Sequence, residues 1–408
     1  MDISLKEFKQ AKKRIASTLH YTQIEYSLAL SEMSGGDVYL KCENHQKTGS
    51  FKIRGATNKI VKMVENGDYS PVVASSAGNH AQGVAHAAKN FGIKATIVMP
   101  KKAPLTKVEA TKGYGAEVVL YGDVYDDAYE KACEICKERN AKFIHPYNDI
   151  DVVAGQGTIA LEILNEINDV DIIVVPAGGG GLLAGISTAA KKINPKVKVF
   201  GVQAKGANAI SKSFKAKKLL ETSSAITIAD GIAVKKPGDL AFDLIMQNVD
   251  DVLEVSEDEI SNAVLQLMER CKEVVEPAGA APVAAIISKK IDVKGKKVVC
   301  VTSGGNIDVT SINGIIEKGL IDRHRRTEFF VIFDNIPGAL SKLSNTIEQL
   351  GAHILDLEVD RVLATMSKQI RAYVVLETSG HKHEKQILTE LEKLDYQVIK
   401  VVDIEKNI

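Results

Sequence analysis

The chain has 408 residues, 45% of them hydrophobic, and its 52 basic side chains are balanced by 52 acidic ones. That length suggests two or three domains with real cores. The neutral balance argues against nucleic acid as a partner, because phosphate binding calls for a basic surplus. The apolar runs are strand-sized and too short to span a bilayer. The N-terminus, Met1-Asp2-Ile3-Ser4-Leu5-Lys6, has no apolar signal core. A soluble, cytoplasmic protein without a membrane partner is expected.

In chain order, the first marked segment is Thr48-Gly49-Ser50-Phe51-Lys52-Ile53-Arg54-Gly55, a lysine placed just after a glycine-serine turn and an aromatic. From about residue 70 to 310, strand-sized apolar runs alternate with helical stretches. Pro71 to Ala74, Ala95 to Met99, Glu117 to Tyr121, Asp171 to Val175, Val197 to Val202 and Lys297 to Thr302 read as strands. Each looks too apolar on both sides to face water, as in parallel strands covered on both faces. Ala81 to Asn90 and Leu182 to Lys192 read as helices between them. The pattern predicts an α/β architecture with mostly parallel sheets. Of the five scattered cysteines, read as reduced thiols, Cys133 and Cys136 lie one turn apart in a helical pattern. With no second pair to complete a zinc site, they read as packed side chains.

Composition changes near Ile321. Asp322 to Thr327 is charged with no strand-like run, and Arg323-His324-Arg325-Arg326 reads as a solvated linker. Strand 329–333, turn 334–338, helix 339–350, strands 353–362 and 367–377, helix 384–394 and strand 397–402 follow. That β-α-β-β-α-β order is the ferredoxin-like plan. The expected division is a catalytic body over 1–325, with a smaller subdomain over about 49–150 inserted in it, and a second domain over 326–408.

The chemistry is concentrated at three strand-to-helix turns. Ile172 to Val175 runs into Gly178-Gly179-Gly180-Gly181-Leu182, and bare amides at a helix N-terminus make an anion site. Four glycines in a row carry roughly 2–4 kcal/mol of backbone cost, which makes sense where the backbone must closely approach a ligand. A P-loop is excluded because Leu182, not lysine, follows the glycines, and Leu183 stands where a dinucleotide fingerprint needs its last glycine. A monophosphate with its own lysine partner survives. The second turn, Thr302-Ser303-Gly304-Gly305-Asn306, offers a hydroxyl at a strand end, where open α/β sheets place their ligands. The third, Ser75-Ser76-Ala77-Gly78-Asn79-His80, has amides and hydroxyls suited to a carboxylate, and His80 reads equally as an acid–base group or a helix cap. A lysine, a phosphate-sized glycine cradle and polar loops are the parts that hold pyridoxal phosphate as a Schiff base.

The stretch from Glu43 to Ala56, together with Ser75-Ser76-Ala77-Gly78-Asn79-His80-Ala81-Gln82-Gly83, resembles the threonine ammonia-lyase (threonine dehydratase) family. These are fold-type-II pyridoxal-phosphate enzymes, similar to the tryptophan synthase β chain, with two open, mostly parallel sheets. The resemblance covers about residues 1 to 320. Asp334-Asn335-Ile336-Pro337-Gly338-Ala339-Leu340 resembles a single ferredoxin-like ACT regulatory domain. The resemblance implies that Lys52 carries the cofactor and moves the substrate's α-proton, that Phe51 packs beside the ring, and that Asn79 bonds the ring oxygen. Gly178, Gly179, Gly180, Gly181 and Leu182 would wrap the phosphate, and Ser303 would bond the ring nitrogen. Ser75, Ser76, Ala77 and Gly78 would bind the substrate carboxylate.

The implied reaction is deamination of L-threonine, and of L-serine, to a 2-oxo acid and ammonia. It would serve isoleucine biosynthesis or threonine catabolism. Ala77 stands where similar serine racemases carry a serine, so elimination is favoured over racemisation. Ile226 stands where metal-binding relatives have an acid, and no metal is assigned. Asn335, Pro337 and Gly338 would bind isoleucine or valine as effector, unless the domain only dimerises. A homotetramer or homodimer is expected. The alternatives are a serine racemase, a cysteine-synthase-type β-replacement enzyme and a non-catalytic amino-acid sensor.

Overall fold

The computed structural model describes residues 2–360 and 369–401, which fall into two compact units, Met1–Asp308 and Val309–Ile408. In the first unit the strands are β1 (Ile24–Tyr26), β2 (Asp37–Cys42), β3 (Val72–Ser75), β4 (Ala95–Met99), β5 (Glu117–Leu120), β6 (Lys142–Phe143), β7 (Ile172–Pro176), β8 (Lys198–Ala204), β9 (Asp251–Val255) and β10 (Lys297–Thr302). They form a six-stranded sheet in the order β1-β2-β10-β7-β8-β9 and a four-stranded sheet in the order β5-β4-β3-β6. Every pairing is parallel except β1 with β2.

Residues of β7 are buried throughout, as expected for a strand covered by helices on both faces. One face of the large sheet is covered by the helices Ile150–Glu166 and Gly181–Ile193, the other by Pro277–Ile287. β5 departs from the sequence reading. Glu117 and Leu120 are exposed, because β5 is the edge of the small sheet and only β4 lies beside it. Strands β1, β2, β6 and β9 carry no strand signal that the sequence reading caught. These are short or lie at or next to a sheet edge, where alternation is weak.

Glycines set how closely the helices meet. A side-chain carbon on Gly155 would fall 2.6 Å from the Gly55 Cα, and one on Gly185 would fall 2.4 Å from the Val153 carbonyl oxygen. The helix that begins at Lys52 (Lys52–Glu65) therefore touches Ile150–Glu166 backbone to backbone, and that helix meets Gly181–Ile193 in the same way.

Beneath Lys52 lies a buried ionic cluster. Arg54, 1% exposed, donates from Nε and Nη2 to Glu43 (2.7 and 2.8 Å) and from Nη1 and Nη2 to Glu162 (2.7 and 2.8 Å). Lys41 donates to Glu162 at 2.7 Å and to the Thr22 carbonyl. Burial disfavours the charged guanidinium, but Glu43 and Glu162 more than offset this and raise its pKa.

In the second unit, β11 (Arg326–Asp334), β12 (His353–Asp360), β13 (Gln369–Glu377) and β14 (Gln397–Lys400) form an antiparallel sheet in the order β12-β13-β11-β14. With the helices Ala339–Gln349 and His381–Lys393 this is the ferredoxin-like plan. Residues 361, 362, 367, 368 and 402, included in the strands read from sequence, lie outside the described residues. The charged stretch before this sheet is not all linker. β11 starts at Arg326, and Thr327 is buried with its hydroxyl donating to Glu384 at 2.9 Å. The strand's alternation extends into residues whose charges hid it.

Candidate active site

Two helices begin just past strands, Asn79–Asn90 after β3 and Gly181–Ile193 after β7, and a third, Lys52–Glu65, begins after a turn; all three bring their N-termini to one region of the first unit. Lys52 is the first residue of its helix, and Gly49, at φ +70°, makes the turn that precedes it. The Phe51 amide donates to the Ser303 carbonyl at 3.0 Å, and Ser50 bridges to Gly304. The lysine segment is thereby fastened to the end of β10.

Asn79 is the junction of the polar loops. Its Oδ1 accepts from Asn306 Nδ2 at 2.7 Å, and its Nδ2 donates to both oxygens of Glu276 at 2.8 and 3.1 Å. Asn306 also donates to the Thr48 carbonyl at 2.8 Å. The structure thus brings together Lys52, Asn79 and Ser303, which are far apart in sequence. Ser75, fully buried at the end of β3, and Ser76, whose hydroxyl accepts from the Gly78 amide at 3.1 Å, form the loop that enters the Asn79 helix. Ala77 is half-buried against the core of the small sheet.

On the opposite side, Lys52 Nζ donates to the Pro146 carbonyl at 3.1 Å. The next residue, Tyr147, covers the glycine turn. A side-chain carbon on Gly179 would sit 2.3 Å from the Tyr147 ring, and Gly180 has φ +100°. Leu182 is buried in the main core, so it contributes packing and its main chain to the turn.

The electrostatics of the pocket follow from burial. Burial pulls the Lys52 amine down to about 8, against the opposing pull of Glu276. Burial pushes the Glu276 carboxyl up to about 7. His80 falls to about 3 and His145 to about 4, through burial and then through Lys52. Both imidazoles are therefore neutral, and His80 is a core residue bonded to the Ile144 carbonyl at 2.7 Å. Glu276 was not read from the sequence. Its only signal is a carboxylate directly before Pro277 at a helix start, and its carboxylate turns to Asn79 instead of capping the helix.

These residues fit pyridoxal phosphate. The hydroxyls of Ser50 and Ser75 are buried and find no hydrogen-bond partner among the described residues. The glycine turn presents bare amides at a helix start, an arrangement suited to a phosphate. A lowered lysine pKa supplies the neutral amine that imine formation needs.

A family model described as pyridoxal-phosphate dependent enzyme matches residues 15–304. The chain belongs to this family, and its two parallel sheets are those of fold type II. Over 401 residues, covering 97% of this chain and 99% of the relative, it is 47% identical to an L-threonine ammonia-lyase of Thermotoga maritima. A catabolic L-threonine dehydratase of Staphylococcus aureus is 48% identical over 78% of this chain and 93% of its own length. Among solved structures, the processed form of threonine deaminase isoform 2 from Solanum lycopersicum superposes with a TM-score of 0.72 at 33% identity, covering 78% of this chain and 89% of that one. Maize serine racemase superposes at 0.74 with 36% identity, covering 79% of this chain and all of that one.

The lowered pKa has a testable consequence. Capture of pyridoxal phosphate by the cofactor-free protein should speed up about tenfold per pH unit below about 8 and level off above it, because only the deprotonated amine attacks. Stopped-flow absorbance across pH 6.5–10 checks this, and an ordinary lysine would keep accelerating to about 10.

Proposed function

We infer that the chain is a pyridoxal-phosphate-dependent threonine ammonia-lyase. It converts L-threonine to 2-oxobutanoate and ammonia by β-elimination of water, and it accepts L-serine. The observation that carries this reading is the 47% identity to an L-threonine ammonia-lyase across nearly the full length of both chains.

The bound cofactor supplies an electron sink that acidifies the substrate's Cα–H bond. The protein's own residues do the rest. Ser75 to Gly78 orient the carboxylate, and the glycine turn from Gly178 to Gly181, with Leu182, anchors the phosphate. Phe51 and Asn79 fix the ring, and Ser303 meets its nitrogen. Lys52 Nζ removes the Cα proton, a step in which a positioned base contributes about 10²–10⁴-fold. Ala77 offers no proton to the opposite face of the substrate, which favours elimination over racemisation. The decisive experiment is to mix the holoenzyme with L-threonine and follow 2-oxobutanoate and ammonia. Intact cofactor without product overturns the reading.

The second unit is proposed as an ACT regulatory domain that binds isoleucine or valine at Asn335, Pro337 and Gly338. There Gly338, at φ +85°, opens a helix and Ile336 is exposed. Coupling of such a site is typically worth about 1–3 kcal/mol, a shift of about 5–150-fold in the affinity for threonine. Titrating isoleucine and valine into the threonine assay tests it, and a flat response would leave the unit as an assembly module. Assembly as a homotetramer or homodimer, work in the cytoplasm, and service to isoleucine biosynthesis or threonine breakdown complete the proposal. Among the described residues no helix is long and apolar enough to cross a membrane.

A further inference from the structure

Behind the pocket, where β2 ends, three ligand-bearing side chains converge that the reaction does not use. Cys42 Sγ, His45 and Glu273 present one ligand atom each, all within 4.8 Å of one another. His45 Nε2 lies 2.9 Å from Glu273 Oε2. Cys42 is fully buried and Glu273 is 6% exposed, whereas the His45 side chain is 47% exposed and opens the cluster to solvent.

The local chain is shaped to bring these groups together. Cys42 closes β2, and the single 3₁₀ turn Glu43–His45 swings His45 back over it. Glu273 follows a π-helical segment, Leu267–Cys271, and Lys272 at φ +62°. Insertions of this kind recur at functional sites, and here they turn the carboxylate inward. Asn44 Nδ2 donates to Glu273 Oε2 at 2.6 Å, and Asn44 Oδ1 accepts from the Thr302 hydroxyl at 3.0 Å. That arrangement supplies an outer hydrogen-bond layer of the sort that orients metal ligands.

We propose that Cys42, His45 and Glu273 form a binding site for a divalent transition ion of the zinc class, with solvent as fourth ligand. One thiolate, one imidazole and one carboxylate suit zinc, whose bonds are about 2.3 Å to sulfur and about 2.0–2.2 Å to nitrogen and oxygen. Those lengths set ligand-to-ligand separations of about 3.3–3.7 Å, so the cluster closes on the ion with sub-ångström to ångström adjustments. Binding exchanges the Cys42 thiol proton, released to solvent, for the metal. His45 ligates through Nε2 and keeps its proton on Nδ1. The site is separate from the cofactor pocket but is joined to it through Asn44 and Thr302, the residue before Ser303.

The test uses the full-length holoenzyme, stripped with a chelator and reloaded with one equivalent of zinc or cobalt(II). X-ray absorption at the zinc edge should show one sulfur at about 2.3 Å and the rest nitrogen or oxygen. Cobalt should give the intense long-wavelength bands of a tetrahedral thiolate site, beyond the absorption of the cofactor. Cys42→Ser should remove the sulfur shell. His45→Ala, a half-exposed position that leaves the core intact, should weaken zinc binding at least 10-fold. A second cluster, His324, His381 and Glu384 in the other unit, contains no sulfur and cannot imitate this signature. Zinc that fails to bind, binds without sulfur, or binds the His45→Ala protein equally well overturns the proposal.

Discussion

Lys52→Ala protein should keep its fold, lose the borohydride-reducible adduct with pyridoxal phosphate, and fall at least 10²–10⁴-fold in threonine turnover, the range set by removing a positioned base. The loss would have two parts, because the proposed mechanism uses the residue both as the covalent anchor and as the base. The fold should survive because the amine's one hydrogen bond among the described residues goes to the Pro146 carbonyl, and the buried lysine carries a desolvation cost that alanine does not. Mass spectrometry after borohydride locates the adduct, and a rapid-quench assay measures turnover. An adduct that persists elsewhere, or a loss below tenfold, would displace Lys52 from the centre of the reaction.

Arg54→Met should lower stability by about 3–5 kcal/mol, the cost of removing one partner from a buried ion cluster. Two carboxylates, Glu43 and Glu162, would be left buried with Lys41 as their cation. Such charges are disfavoured unless paired. Converting Glu43 to glutamine in the same protein should return most of the loss, because Glu162 keeps Lys41 as its partner at 2.7 Å and no buried carboxylate is left without a cation. Urea unfolding followed by near-ultraviolet dichroism reports mainly the first unit, which holds nine of the eleven tyrosines in a chain without tryptophan. A loss under 1 kcal/mol in the single variant, or no recovery in the double one, would show that the cluster is hydrated and not a buried network.

Much of the fold could be read in the sequence because parallel strands covered on both faces must be apolar throughout. β4 and β10 were legible to the residue, and β3, β7 and β8 to within one or two residues at either end. The strands that escaped did so for the complementary reason. β1 and β6 are too short for a pattern to form, and β2 carries Lys41, whose charge is neutralised only by residues distant in the chain. The site divides along the same line. Lys52, the glycine turn and the Asn79 loop announce themselves because each has an unusual local composition. Glu276 does not, because a glutamate before a proline at a helix start is ordinary until Asn79 is folded against it. Arg54 looked like part of the lysine motif alone. Its burial among two glutamates depends on a helix about a hundred residues further along.

The Gly55–Gly155 contact bears on how the reactive amine is held. Main chain meets main chain there, with a side-chain carbon on Gly155 falling 2.6 Å from the Gly55 Cα, so the spacing of the lysine's helix is set at that point by backbone. Core side chains elsewhere can drift through conservative swaps while the lysine's starting point stays put. The arrangement behaves like a machined shoulder: it cannot be adjusted, and a single added methyl group on either glycine would shift the amine along with its helix.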